Sequence, residues 1–331
     1  MSFKPLFALL ACAFPALLSA QLQGRVGAAL PKVQVEKPAV GLGQHDFLYA
    51  GESLRRRIFI VRGGKIAWSY EDTEGKGEIS DAVLLSNGNV LYTHQFGIVE
   101  VSPDKNVVWK FDAPAGYEIH TAVPIGRDRI LYIQNGDPAV ARVLNKSTGV
   151  TEKEIRLKTR QPVSTHGQFR HARLTPQGTL LVAHMDLDKV VEYDADGNEL
   201  WSFPAARPWG VTPLPGGNVL LTDSKGVREV TRRGDTAWAW TPADAPSLQF
   251  SNLQQAWRLP NGNTVINNWV NEWNIKPEEE LGTIQAIEVT PEKKVVWTLA
   301  SWTGPEALGP ATTFQFLGGP AAEDVHFGDI R

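Results

Sequence analysis

The chain has 331 residues, 42% hydrophobic and 21% charged, which suits two average domains or one large all-β domain and excludes disorder over most of the length. Its formal net charge of −3 provides no basic field for a phosphate backbone, so nucleic acid is excluded as a partner. With one cysteine, Cys12, a disulfide-stapled fold is excluded as well.

Residues 1–20 read as a secretory signal peptide, with Lys4 in the n-region, an apolar run Pro5–Leu18, and small residues Ser19-Ala20 for cleavage near residue 20. The run is short for a membrane helix and is interrupted by Pro15. Leu9-Leu10-Ala11-Cys12 loosely resembles a lipobox, but the apolar run continues past Cys12. The expected protein is therefore secreted or periplasmic, with no transmembrane segment after cleavage and no mature cysteine. Residues 21–43 show no periodicity and are expected to form an extended lead-in.

From His45 a repeated unit begins, and it begins in the middle. Asp46–Ala50, Arg57–Val61 and Lys65–Tyr70 match the second, third and fourth strands of a later, better preserved copy at 171–205. A complete copy follows, from Asp81–Leu85 through the turn Ser86-Asn87-Gly88 and Asn89–Thr93 to Phe111. A divergent copy spans His120 to about Leu157 and lacks the tryptophan of its fourth strand.

The copy at 171–205 shows the unit best. His171–Thr175, the turn Pro176-Gln177-Gly178, Thr179–Ala183, Val190–Tyr193, the turn Asp194–Gly197 and Glu199–Phe203 give four short strands. Gly210–Thr241 and Gln255–Leu299 repeat it, the latter with an insertion, Glu272–Leu281, expected as an exposed loop. Thr312–Leu317 is a lone first strand, the piece missing at the start.

In this alignment tryptophan recurs in the fourth strand at Trp68, Trp109, Trp201, Trp238 and Trp297, and glutamate in the third at Glu100, Glu192, Glu229 and Glu288. The spacing falls around 40–45 residues, the range of four-stranded propeller blades. A lone blade leaves two apolar faces and two edges open, and radial stacking buries the faces. The predicted fold is an all-β, six-bladed β-propeller of four-stranded antiparallel blades over 44–317. The strand near 312–317 closes it by completing the N-terminal blade, and 318–331 is a tail. The recurrent tryptophans and glutamates are expected to be structural.

The segments VVEYDADGNELW and IEVTPEKKVVW resemble the blade repeat of bacterial secreted propellers in the quinoprotein-like and arylsulfotransferase-like group, over roughly residues 44–317. The resemblance implies the fold and brings no cofactor with it. Quinoprotein alcohol dehydrogenases have more blades, calcium ligands and a vicinal disulfide that a cysteine-free mature chain cannot form, so pyrroloquinoline quinone is not expected. The sulfotransferases use a central histidine with an arginine nearby, and no motif maps a histidine of this chain onto it.

Propellers commonly bind ligands at the channel mouth, where loops meet. At the start of the first strand the repeat places Ser80, His120, Arg170, Trp209 and Gln254, and one residue further Asp81, Thr121, His171, Gly210 and Gln255. At the end of the second strand stand Gly51, His94, Gln134, His184, Asp223 and Asn268. Structural positions repeat; these do not, and nearly all are polar. Four of the seven histidines, His94, His120, His171 and His184, fall in this register, and His166 lies in the adjoining loop.

Imidazoles can act as general bases or ligate a divalent metal. Arg170 can grip a carboxylate or sulfate, and Trp209 can stack on a sugar or aromatic ring. The structural alternative is a polar lining of a wet channel. There is no HxH or HExxH spacing, so metal ligands would have to converge from separate blades.

Two functions follow. One is a monomeric binding or scaffold module recognising a small molecule, glycan or protein at the mouth. The other is an enzyme with a His/Arg site acting on an anionic or carbohydrate-like substrate, as lyase, hydrolase or sulfuryl transferase. An assembly factor is a third reading.

Overall fold

The structure, a computed structural model, describes residues 38–271, 283–310, 312–320 and 322. The leader, most of the lead-in, the insertion 272–281 and most of the tail lie outside the described residues. Six antiparallel four-stranded sheets follow one another around a ring. Blade 1 runs from its innermost strand Thr313–Phe316 outward through Phe47–Ala50, Arg57–Arg62 and Lys65–Glu71. The inner strands of blades 2 to 6 are Ile79–Leu84, Glu118–Ile125, Phe169–Leu174, Gly210–Pro213 and Asn252–Arg258. Three further strands follow each of these outward in chain order.

Closure occurs as the repeat predicts. Phe47 to Ala50 pair with Phe316 to Thr313, so the two ends of the ring share one sheet. One difference lies in the lead-in. Ala39–Val40 pairs in parallel with Trp297–Thr298, adding a fifth strand to the outer edge of blade 6. That edge would otherwise present unpaired backbone groups.

The core is not one mass but six apolar layers, one between each pair of adjacent blades. Middle strands are therefore buried on both faces, as in Val90–His94 and Leu180–His184, whereas outer strands such as Val107–Asp112 are largely exposed. This is why the middle strands read as continuous apolar runs.

The recurrent tryptophans and glutamates join neighbouring blades. The indole N–H of Trp68 donates to Pro103 O (2.8 Å), Trp201 to Arg232 O (3.1 Å) and Trp238 to Pro291 O (2.9 Å), each on the next blade. Trp297 donates to Gly41 O at 2.8 Å. Each recurrent glutamate accepts from its own blade and from a group of the next: Glu100 from Asn89 and Lys146, Glu192 from Thr179 and Arg232, Glu229 from Asn218 and Arg258, Glu288 from Asn263 and His45. Arg232 and Arg258 also lie over Trp201 and Trp238, about 5 Å from the ring centroids.

Candidate functional site

Four inner strands carry the same irregularity at the channel mouth. In blade 2 the pairing steps from Ile79–His94 to Asp81–Thr93, skipping Ser80. Blades 3, 4 and 6 each insert one extra residue against their second strands, at His120-Thr121, Arg170-His171 and Gln254-Gln255. A β-bulge leaves its extra residue unpaired and re-aims side chains. Here it turns two consecutive side chains of each strand inward. The displaced amides are recaptured by side chains: Thr93 Oγ1 takes Asp81 N at 3.1 Å, Thr121 Oγ1 takes Ala172 N at 3.3 Å, and Asn267 Oδ1 takes Gln255 N. Blade 5 has Gly210 at this point, because a Cβ there would meet Gln254 O at 2.4 Å.

The first bulge residues build an upper cluster. His120 Nε2 lies 2.8 Å from Glu118 Oε2, and His120 Nδ1 lies 3.0 Å from Ser80 Oγ. His166 Nδ1 reaches the same Glu118 oxygen at 2.9 Å, and its Nε2 lies 2.7 Å from Arg170 Nη2. Glu78 Oε1 stands 3.6 Å from His120 Nδ1, 3.8 Å from His166 Nε2 and 3.6 Å from Arg170 Nη2, and has no hydrogen-bond partner. Glu52, from blade 1, has its carboxylate 3.7 Å from Arg170 Nε and 3.3 Å from Ser80 Oγ. The Arg170 guanidinium lies over Trp209, which stacks on Trp269, whose indole donates to Glu52 O at 2.8 Å.

Three carboxylates therefore face one guanidinium and two imidazoles. Burial, then the nearby Glu78 carboxylate, pushes the Glu52 carboxyl up to about 8. Burial also works against the Glu118 carboxylate, but hydrogen bonds from His120, His166 and Gln95 prevail and hold it well below the usual range. Burial, with Arg170 nearby, lowers His120 to about 3, so this ring is neutral at pH 7. Its Nε2–H then donates to Glu118 and its Nδ1 accepts from the Ser80 hydroxyl.

The second bulge residues pair across the ring below this cluster. Arg173 holds Asp81 in a two-pronged grip at 2.8 and 2.9 Å, Thr121 donates to Asp81 at 2.9 Å, and His171 Nε2–H donates to Ser80 O at 3.0 Å. The Gln255 amide abuts the His171 ring. Burial lowers His171 to about 4.

The second-strand ends are engaged elsewhere. His94 donates to Lys76 O and lines a groove of about 760 Å³ between blades 1 and 2. Gln134 accepts from Arg142 at 2.8 Å, and His184 meets the Tyr193 hydroxyl at 2.9 Å and the edge of Phe169. Asp223 pairs with Arg228 and takes Lys225 N at 2.9 Å; Asn268 accepts from Ser251 N and donates to Ile284 O, both at 2.7 Å. Of the sequence candidates, the structure brings His120, Arg170 and Trp209 into the upper cluster and His171 and Gln255 into the contacts below it. It leaves His94, Gln134, His184, Asp223 and Asn268 within the packing of their own surroundings.

Glu52, Glu78 and Glu118 were not among the sequence candidates. A signal existed for two of them: Glu78 precedes Ser80 by two residues and Glu118 precedes His120 by two, a spacing that returns a strand's side chain to one face. Glu78, His120 and His166 also bring one metal-ligand-type atom each within 4.8 Å of one another. A pocket of about 420 Å³ lined by Ser53, Leu54, Arg56, Gly77, Glu78 and Gln95 opens beside the cluster. No helix among the described residues is long and apolar enough to cross a membrane.

No family model matches the chain, and a search of curated proteins finds no match. Solved structures do resemble it. A protein of unknown function from Bacteroides caccae is 22% identical with a TM-score of 0.69, over 80% of this chain and 97% of that one. A catalytically inactive virginiamycin B lyase from Staphylococcus aureus, solved with quinupristin, is 12% identical with a TM-score of 0.54, over 81% and 90%. A streptogramin B lyase is 14% identical with a TM-score of 0.53, over 78% and 83%. At these identities the likeness is one of fold, and the chain is a six-bladed β-propeller.

Proposed function

We propose that this propeller is an enzyme using acid–base chemistry at its channel mouth on a carbohydrate-like or other uncharged polar substrate, as a hydrolase or lyase. One observation carries the reading: side chains that break the repeat, sent from all six blades, meet in one cluster of hydrogen bonds and stacked rings. Burying several ions costs a few kcal/mol each. The Ser80–His120–Glu118 chain offers a path along which a proton can shift. The Glu52 and Glu78 carboxyls beside Arg170 disfavour an anionic ligand and favour a neutral one. Two of the propellers alike in fold are lyases, which supports an enzyme reading at the level of fold.

A second reading, a binding module without turnover, is favoured by the near-complete burial of Ser80, His120 and Arg170. The blade-repeat resemblance to quinoprotein-like and arylsulfotransferase-like propellers and a secreted or periplasmic location are part of the proposal; the latter rests on residues 1–20.

The test is turnover of a panel of glycosides, lactones and esters by the purified chain. Loss of activity by about 100-fold or more in both Glu118→Gln and His120→Ala, with the fold intact, supports the enzyme. Saturable binding without turnover selects the module, and activity indifferent to both changes overturns the site.

A further inference from the structure

We infer that the upper cluster is a divalent-cation site, with Glu78, His120 and His166 as ligands to Zn2+ or a similar late first-row ion. The inference rests on the mouth being the functional site, but it is testable without any substrate.

The argument starts at Glu118. One oxygen of this carboxylate accepts from both His120 Nε2 and His166 Nδ1, at 2.8 and 2.9 Å. Each ring therefore carries its proton on the nitrogen facing Glu118. The lone pairs are left on His120 Nδ1 and His166 Nε2, the two atoms that face Glu78 Oε1 at 3.6 and 3.8 Å. A carboxylate fixing the far N–H of a metal-binding imidazole is the usual outer-sphere arrangement. Here one carboxylate does so for two rings at once.

The independent observation is Glu78 itself. It is 9% exposed, and its Oε1 has no hydrogen-bond partner. An unpaired buried carboxylate oxygen between two imidazole lone pairs calls for a cation. Two nitrogens and one oxygen suit Zn2+ or Co2+ better than Mg2+ or Ca2+, which take oxygen ligands. Bonds of 2.0–2.1 Å set tetrahedral ligands about 3.4 Å apart, so the two separations to Glu78 need to contract by a few tenths of an ångström, and the two imidazole nitrogens, which lie with Glu78 within 4.8 Å of one another, close in by a movement of the His166 loop. The half-exposed His166 ring lies on the solvent side, where the fourth position would be filled by water or substrate.

Two groups now occupy the lone pairs, and both have other acceptors. The Ser80 hydroxyl, 3.0 Å from His120 Nδ1, has Glu52 Oε1 at 3.3 Å. Arg170, whose Nη2 meets His166 Nε2, keeps His166 O at 2.5 Å on Nη1 and has Glu52 at 3.7 Å from Nε. The guanidinium thus stands as the cation of the empty site, and metal entry displaces it toward Glu52.

The experiment is titration of the metal-stripped full chain with Zn2+ by calorimetry, and with Co2+ by visible absorption. One ion per chain is expected. His166→Ala, on a half-exposed loop, should weaken Zn2+ by about 100-fold or more, Glu118→Gln by about 10–100-fold, and Arg170→Met should tighten it. His184→Ala, a buried histidine outside the cluster, should leave affinity unchanged. Absence of stoichiometric binding of either ion, or binding unaltered in both His166→Ala and Glu78→Gln, overturns the inference. Turnover by the chain without stoichiometric binding of either ion would overturn the metal and leave the acid–base reading standing. Zinc binding without turnover of any substrate would do the reverse.

Discussion

Glu192 at the blade perimeter, buried, and Glu118 at the channel mouth, half-buried, both have nitrogen partners, and they solve the cost of leaving water differently. Glu192 has one partner per oxygen, Thr179 and Arg232, with the Arg232 guanidinium resting on Trp201. The arrangement recurs at Glu229 with Arg258 and Trp238. Around Glu118 the balance is uneven: two further carboxylates, a single guanidinium, and a Glu78 oxygen with no partner. A charge pair that recurs and closes on itself serves the ring. A charge group that occurs once and stays open is what the proposed function rests on.

The comparison is broken most severely at the perimeter. Trp297 is fully buried between blades 6 and 1, and Trp297→Ala should cost about 3–5 kcal/mol, read as a large fall in Tm. If the cost is under about 1 kcal/mol, the recurrent tryptophans do not hold the blades together.

Acid offers a second, smaller test. Burial lowers His171 to about 4 and His184 to about 3. The unfolded chain takes up protons below about pH 6.5 while these folded rings do not. Stability is therefore complete above that pH and is lost as pH falls toward 4. The two rings together should cost about 2–3 kcal/mol between pH 6 and pH 5. The doubly substituted His171→Gln, His184→Gln protein should show a flatter profile, and an unchanged slope would refute the assignment.

The smallest expected effect separates the two regions by sign. Glu192→Gln should lower stability by about 1–2 kcal/mol, since it weakens a closed pair. Glu52→Gln in the metal-free protein should raise it at pH 8, and by much less at pH 5. The Glu52 carboxyl is raised to about 8, so its contribution is complete below about pH 4.5 and fades as pH rises through 8. Equal losses for both variants would erase the distinction between perimeter and mouth.

The ring was legible in the sequence because blade packing repeats its demands. Five blades place a tryptophan on the outer strand and four a glutamate on the third, so Trp201 and Glu192 have counterparts elsewhere in the chain. The mouth was legible only in part. Position in the repeat singled out His120, Arg170 and Trp209, yet gave equal standing to His184, whose ring is used by Tyr193 and Phe169. Two polar residues at equivalent places look alike until the bulge turns one strand's side chain inward. The bulge itself is hidden, because an extra residue near a loop changes no turn and no spacing by much. Glu52 and Glu78 lie at strand ends outside the compared columns.

The pairing of Phe47–Ala50 with Thr313–Phe316 has a consequence for how the molecule comes into being. A strand from one end of the ring waits for a partner from the other, and such distant pairings form slowly. Until the last strand arrives, blade 1 offers a bare edge with Leu48 and Tyr49 beside it, a template for another chain. Assembly is thus gated by its final step. A chain cut short before Thr313 would lose four residues of sheet, yet what it would forfeit is the circle itself, and with it the common centre on which all six blades converge.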